Sequence, residues 1–265
     1  MEAVFNLANI HKLNQILDEL KFALDSLKEK DINKIFISLI KDSAVDTYED
    51  KKQIFIDVNK FIKKKINDYK AKGFERAIKD DFNRVKNFSI NLPDKIKATY
   101  AYINKMSKQE KIEMLISILW GIIIFYAVSG GLDLEGGVPD LDIKLGGIGL
   151  HRSIWFHSII AGFTLEFIMR LAFKTLLTII ENLPENHLAV WDKINDFIQK
   201  NQNLTVAAIW FGIAAHLIKD TGIIAGNFKS YSDLPANLSM EHHNLIMNAN
   251  GVASTLFGVK NIKKL

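Results

Sequence analysis

The chain has 265 residues, 48% of them hydrophobic, no cysteine, and a net charge of +4 from 34 Lys and Arg against 30 Asp and Glu. That apolar content supports a sizeable core and excludes a disordered chain. The missing thiols exclude a disulfide scaffold, an iron–sulfur cluster and a cysteine nucleophile, and so small a net charge gives nucleic acid no foothold without a concentrated patch.

The front of the chain reads as amphipathic helix. Glu2, His11 and Lys12 interrupt any basic-then-apolar secretory pattern. From Val4 to Leu27 the apolar residues recur at three- and four-residue steps, the period of a helix with one apolar face. A second helix is expected over 31–40. A third is expected over 48–73, with Ile54, Val58, Phe61, Ile62, Ile66 and Tyr69 on one side and Gly73 as its stop. Another amphipathic run covers 74–88, and one more covers 93–106. Ser107 and Glu110 then have the spacing of a capping box. Lys63, Lys64 and Lys65 read as a solvated helix face, with anionic lipid head groups as the functional alternative.

Composition changes near residue 112. Residues 1–111 carry 23 Lys and Arg against 17 Asp and Glu, and residues 112–265 carry 11 against 13. Fourteen of the 15 glycines lie between Gly121 and Gly258. The expected organisation is therefore a regulatory or docking region of amphipathic helices over 1–111, followed by an apolar helical domain over 112–265. The fold class is all-α.

Three apolar helices are expected in the second region, over 112–128, 154–180 and 204–225. The first is about 25 Å long, close to the ~30 Å hydrocarbon core of a bilayer. The second contains His157, Glu166, Arg170 and Lys174, and the third His216, Lys219 and Asp220. Glu166, Arg170 and Lys174 are spaced to pair along one face. Trp120, Tyr126, Trp155 and Trp210 suit a membrane interface. Charged groups in such helices are costly unless they converge on a polar interior. A membrane-embedded or membrane-associated domain with an internal polar site is thus the expectation, and a buried soluble core is its competitor.

The polar residues of that interior fall in three segments. Between the first two apolar helices lies a loop with glycines at 130, 131, 136, 137, 146, 147 and 149 and carboxylates at Asp133, Glu135, Asp140 and Asp142. In an extended strand Asp140 and Asp142 would share one side. HRSIWFHS supplies His151, Arg152 and His157; the two rings would lie about 120° apart on a helical wheel and meet only if His151 sits in the preceding loop. HLIKD places His216 and Asp220 on one helix face, a spacing that can hold a divalent ion or orient a base. Glu241, His242 and His243 form a later cluster expected at the surface or on a lid, with contact to the site or to its ligands as the alternative, and His11 and His187 receive no role.

PDLD at 139–142, HRSIWFHS at 151–158 and AAHLIKDT at 214–221 resemble the YdjM-like family of bacterial inner-membrane proteins, described as metal-dependent hydrolases. The family pattern is a Pro-Asp-x-Asp-His loop, then His-Arg-x-x-x-His-Ser, then His-x-x-x-Asp on an apolar helix. Asp140, Asp142, His151, Arg152, His157, Ser158, His216 and Asp220 match it. Ile143 stands where the family has a histidine, and His151 and His157 are one residue further apart. The resemblance covers about 114–225 and implies a metal-dependent hydrolase at the inner (cytoplasmic) membrane. On this reading Asp142, His157, His216 and Asp220 hold a divalent ion, zinc or manganese. Asp140, His151 and Arg152 are the catalytic candidates: Asp140 binds a second ion or orients a histidine, His151 ligates or shuttles protons, and Arg152 steadies negative charge. The expected substrate is a membrane lipid or lipid-like ester or phosphoester. A protein partner for the N-terminal helices and a homo-oligomer complete the expectations. The alternative is a non-enzymatic oligomeric membrane scaffold or pore, in which the same cluster is structural.

Overall fold

A computed structural model describes residues 2–72, 92–131, 133–134, 136–147, 151–222, 229–234 and 238–264. The protein is all-α: eight helices and no strand occur among the described residues. They are α1 (Glu2–Glu29), α2 (Ile32–Lys72), α3 (Leu92–Lys105), α4 (Lys108–Ser129), α5 (Leu141–Gly146), α6 (Ile159–Glu181), α7 (Ala189–Asp220) and α8 (Met240–Ile262). The run expected over 74–88 and the stop at Gly73 lie outside the described residues. Two compact units emerge, one of residues 1–49 with 121–265 and one of residues 50–120.

In the smaller unit the capping box forms. Glu110 N–H donates to Ser107 Oγ at 3.2 Å, and Ser107 N–H donates to Glu110 Oε2 at 2.6 Å, so two amides at the start of α4 gain partners that the helix cannot supply.

In the larger unit, α1 and α2 reverse at Asp31, whose φ of 63° is a conformation that a short polar side chain tolerates. Its Oδ1 accepts the Lys34 N–H at 3.3 Å. The helices expected over 31–40 and 48–73 are one continuous helix, because the intervening KDSAVDT holds neither glycine nor proline to stop it. Buried Glu19 ties α1 to the start of α7, accepting the Leu188 N–H at 2.9 Å and Trp191 Nε1–H at 2.8 Å.

The core lies where α7 packs between α6 and α8. Val128, Ala161, Ile209, Ile213, Leu217, Tyr231 and Met247 form one buried cluster, each large apolar side chain contributing about 1.5–3 kcal/mol on burial. The Trp210 ring packs against Gly162, where any Cβ would collide with it. It meets Phe257 edge-on with ring centroids 4.6 Å apart, and its Nε1–H donates to Glu166. Trp210 is thus a core residue and not an interfacial one. The charged ladder on α6 also differs from expectation. Glu166 pairs with Arg170 at 2.8 Å, but Lys174 reaches Asp46 of α2 at 2.7 Å.

Of the three apolar segments, one stands apart. Helix α4, with a mean hydropathy of 2.1 over its most apolar 18 residues, is long and apolar enough to cross a membrane, and it is the one described helix that meets that test. Along it Leu115, Ile116, Leu119, Ile122 and Ile123 are all exposed. The apolar half of α7 is instead buried within the helical packing.

Candidate metal centre

Four chain segments deliver the site. The glycine-rich turn after α4 folds back on the helix end, with Val138 N–H donating to Val128 O at 3.1 Å. Gly137, at φ 73°, packs so closely on Gly130 that no side chain fits there. This brings Asp140 and Asp142 to the last turn of α7. The two carboxylates are not in an extended segment: Asp142 lies in α5, and Asp140 directly precedes it. Helix α6 begins at Ile159, five residues later than expected, because Ser158 caps it by accepting the Ile160 N–H at 3.1 Å. His151 and His157 therefore both lie in the turns before the helix, which lets their rings approach to 5.8 Å.

His157 is fully buried and stands at the centre. Its Nδ1 faces Asp142 Oδ2 at 3.3 Å, while its Nε2 faces Asp140 Oδ1 at 3.4 Å and Asp220 Oδ2 at 3.6 Å. His216 brings its Nε2 to 3.7 Å from both Asp140 Oδ1 and Asp220 Oδ2. Its other nitrogen, Nδ1, lies 3.1 Å from the carbonyl oxygen of Ser129. A carbonyl only accepts, so Nδ1 carries the proton and Nε2 presents its lone pair to the cluster. Burial pushes the His216 pKa below its usual value, against the neighbouring Asp220 and Asp140 charges that raise it. The ring is thereby kept neutral, as a ligand must be.

The carboxylates are differentiated by their other bonds. Asp142 Oδ2 accepts the Ser153 N–H at 2.9 Å, and its Oδ1 lies 3.5 Å from His151 Nδ1. Asp140 Oδ2 accepts the Gly136 N–H at 2.6 Å, leaving Oδ1 turned toward His157, His216 and His151. Burial raises the Asp140 pKa, but the close approach of His157, the His216 ring, which is protonated in the acid range where a carboxyl titrates, and the Gly136 amide outweigh it and hold the carboxyl at about 2. Asp220 Oδ1 is paired with Lys229 Nζ at 2.9 Å, and Oδ2 lies 3.4 Å from Arg152 Nε.

The residues fit a metal ion. Asp140, His157 and His216 can each offer a ligand atom, all within 4.8 Å of one another, and so can Asp142, His151 and His157. Both nitrogens of His157, Nε2 of His216, Oδ2 of Asp220 and Nε of Arg152 are buried without a hydrogen-bond partner among the described residues. Buried polar atoms rarely go unpaired, and here three of them, His157 Nε2, His216 Nε2 and Asp220 Oδ2, converge with Asp140 Oδ1. Their separations of 3.4 to 3.7 Å are too long for good hydrogen bonds. They lie within or about 0.1 Å beyond the roughly 3.3–3.6 Å edge of a tetrahedron of ligands about 2.0–2.2 Å from an ion.

Further contacts hold these groups, and of them the sequence pointed only to the cluster that contains His243, as an alternative. Residues 231–233 grip the 152–157 turn. Tyr231 Oη donates to His157 O at 2.6 Å, Ser232 N–H to Arg152 O at 3.2 Å, and Asp233 accepts from Ser153 Oγ at 2.8 Å and Ile154 N–H at 2.9 Å. His243 joins these contacts by accepting the Tyr231 N–H at its Nδ1, 3.2 Å away. His242 bonds instead to Ser239 at the start of α8. The polar run KSYSD at 229–233 was the available signal. Asp133 contributes a backbone carbonyl, which accepts from Lys219 Nζ, and Glu135 lies outside the described residues. The chain matches no protein-family model, no curated protein and no solved structure.

Proposed function

We propose that the protein is a membrane-anchored, metal-dependent hydrolase of an ester or phosphoester. The observation that carries this reading is the convergence of Asp140 Oδ1 with buried, unpartnered atoms of His157, His216 and Asp220. The resemblance of PDLD, HRSIWFHS and AAHLIKDT to the YdjM-like family supports it. Anchoring by α4 rests on that helix's length, hydropathy and exposed apolar surface, with the inner membrane as the location the resemblance implies.

The ring of His157 selects among the ligand sets. A neutral imidazole ligates through one nitrogen and keeps a proton on the other. Nε2 faces the set with more donors, so it is the ligand, and Nδ1–H is directed at Asp142. Asp142 thereby orients His157, as carboxylates commonly do for metal-bound histidines, and Asp140 takes the ligand role. Zinc or manganese suits this mixture of imidazole and carboxylate. When bound, such an ion acidifies water and offsets negative charge developing on the substrate. His151, partly exposed at the edge of the cluster, directs Nδ1 between Asp142 and Asp140, leaving Nε2 for the proton-shuttle role. Arg152 holds its guanidinium beside Asp220, where it would steady charge on the substrate.

Metal analysis of the full chain, purified in detergent, tests the reading. One equivalent of zinc or manganese is expected per chain, with affinity falling by about 100-fold or more in His216→Ala, since even residues that only support metal ligands are worth about 10–100-fold. Absence of metal from the wild type overturns the proposal. Joint loss of metal and of esterase or phosphodiesterase activity from a folded variant would reject the scaffold reading.

A further inference from the structure

The metal reading leaves one group unexplained, the Lys229 ammonium. It reaches Asp220 Oδ1 at 2.9 Å from a segment that is distant in sequence from every other site residue except Asp220 itself. Arg152 approaches the other oxygen of the same carboxylate, Oδ2, at 3.4 Å. The two cations therefore straddle one carboxylate, each partly exposed, with side-chain accessibilities of 28% and 22% against 2% for Asp220. Each has donors to spare. An ammonium carries three N–H groups and a guanidinium five, and Asp220 is the one side-chain partner either cation has among the described residues.

The backbone at Arg152 is also unusual. Its φ is 65°, a left-handed conformation costing a residue with a Cβ about 1–2 kcal/mol. Ser232 N–H fixes it by donating to Arg152 O at 3.2 Å. Strain of this kind persists where surrounding structure over-determines it, as at ligand clamps. Lys229 and Ser232 belong to the same short segment, so one stretch of chain both supplies the second cation and holds the first in its strained position.

Charge decides what such a pair is for. Three carboxylates, Asp140, Asp142 and Asp220, face two cations, and with the histidines neutral, as the metal reading takes them, one negative charge is left. A divalent ion turns this into one positive charge. With neutral water on the ion, a phosphodiester offsets that charge through its single negative charge, which a neutral carboxylic ester cannot do.

We infer that Lys229 and Arg152 form a two-cation clamp for the charged phosphate of a phosphodiester, which makes Lys229 a specificity-determining residue. This rests on the metal reading above. The same chemistry is offered by a soluble diester and by a phospholipid head group, and the test separates them.

Diethyl phosphate is titrated calorimetrically into the full chain in detergent with saturating manganese, for wild type, Lys229→Met and Lys229→Arg. Manganese affinity is measured alongside. Loss of one charge-assisted contact should weaken diethyl phosphate binding about 10-fold or more in Lys229→Met, with partial recovery in Lys229→Arg. Manganese affinity should be unchanged or higher, because Asp220 loses a competing partner. Unchanged diethyl phosphate affinity in Lys229→Met, with manganese still bound, overturns the clamp alone and leaves Lys229 as a counter-charge. No manganese binding by the wild type overturns the metal reading and the clamp with it. Vesicles of phosphatidylglycerol that displace diethyl phosphate from the wild type identify a lipid source. Displacement by bis(4-nitrophenyl) phosphate but not by vesicles identifies a soluble one. Binding of methyl butyrate as tight as that of diethyl phosphate would overturn the charge argument.

Discussion

Helices α4 and α7 are both long and both rich in isoleucine and aromatic residues, yet they meet opposite fates. Along α4, Ile122 and Ile123 are 55% and 59% exposed, whereas Ile213 of α7 is fully buried. The difference is carried by what shares the helix. The C-terminal half of α7 bears Gly212, which admits the α4 residue Val128, and His216 and Asp220, which have partners waiting on the preceding loops. Helix α4 has Glu113 as its one charge between Ile112 and Ser129 and no polar group in its apolar stretch that needs an interior. Hydropathy alone cannot separate an exposed apolar helix from one that carries a buried polar site; the position of its polar residues can.

The sharpest way to break this comparison is to place the same charge in both helices. Ile213→Asp buries a carboxylate with no partner and should cost on the order of 5 kcal/mol, enough to unfold a domain of ordinary stability. Ile122→Asp should change folding stability by no more than about 0.5 kcal/mol but weaken membrane insertion by about 2.5–3.5 kcal/mol. Circular dichroism in detergent reads the first effect and carbonate extraction of membranes the second. If Ile122→Asp unfolds the chain while leaving it membrane-bound, α4 is a core helix and the contrast collapses.

The packing side of the comparison is sharpened at Gly162. Its Cα supports the Trp210 ring, and an added methyl group would force that ring away from Phe257 and from its hydrogen bond to Glu166. Gly162→Ala should therefore destabilise by about 1–3 kcal/mol, despite alanine's better helix propensity. Urea denaturation measures it, and a stabilised variant would show that the Trp210 pocket yields.

Much of the candidate site was legible because its residues follow local rules. His216 and Asp220 share a face by the helical repeat, and His151 had to lie in a loop to meet His157, as it does. The geometry of Asp140 and Asp142 was not legible. Their approach to opposite nitrogens of one imidazole depends on a short helix and on the return of the glycine turn to Val128, and alternation along a strand predicts neither. Lys229, Tyr231 and Asp233 were missed for a different reason. The partners of Tyr231 and Asp233 lie 74 to 80 residues away, and no periodicity links such positions. The start of α6 was misjudged because the apolar residues from Ile154 suggested a helix, while Ser158, a capping residue, marked the true boundary. The aromatic residues divided: Trp155 is 64% exposed and Trp210 fully buried, and composition treats them alike.

Arg152 sets local strain against function. Arg152→Gly removes the left-handed penalty, and glycine's greater freedom in the unfolded chain offsets part of that gain. Stability should thus stay level or rise by up to about 1 kcal/mol, while diethyl phosphate affinity falls about 10-fold or more. A large loss of stability would instead mean that the guanidinium is there to hold Asp220 in place. Thermal denaturation and the calorimetric titration, run on the same preparation, distinguish the two.

The smallest effect expected comes from contrasting two histidines whose surroundings act in opposite directions. His187, in the turn between α6 and α7, has Nε2 3.0 Å from Asp192 Oδ1 and Nδ1 2.9 Å from Pro184 O. Both partners only accept, so the doubly protonated ring satisfies both, and its pKa is raised, first by the hydrogen bond to Asp192 and then by that to Pro184. A raised folded-state pKa contributes stability that is fully present below the unfolded value near 6.5 and disappears as pH rises through the folded value. His216, whose pKa burial lowers, has the reverse dependence: its contribution is present above pH 6.5 and is lost as pH falls toward the depressed value. His187→Gln should therefore destabilise more at pH 6 than at pH 9, by no more than about 0.5 kcal/mol because the pair is near the surface. Wild-type stability should meanwhile decline on acidification as His216 is forced to take up a proton. Melting temperatures of wild type and His187→Gln across that pH range measure both. A His187→Gln difference that grows with pH would show that the second ring proton gains nothing there, and the opposition between the two histidines would fail.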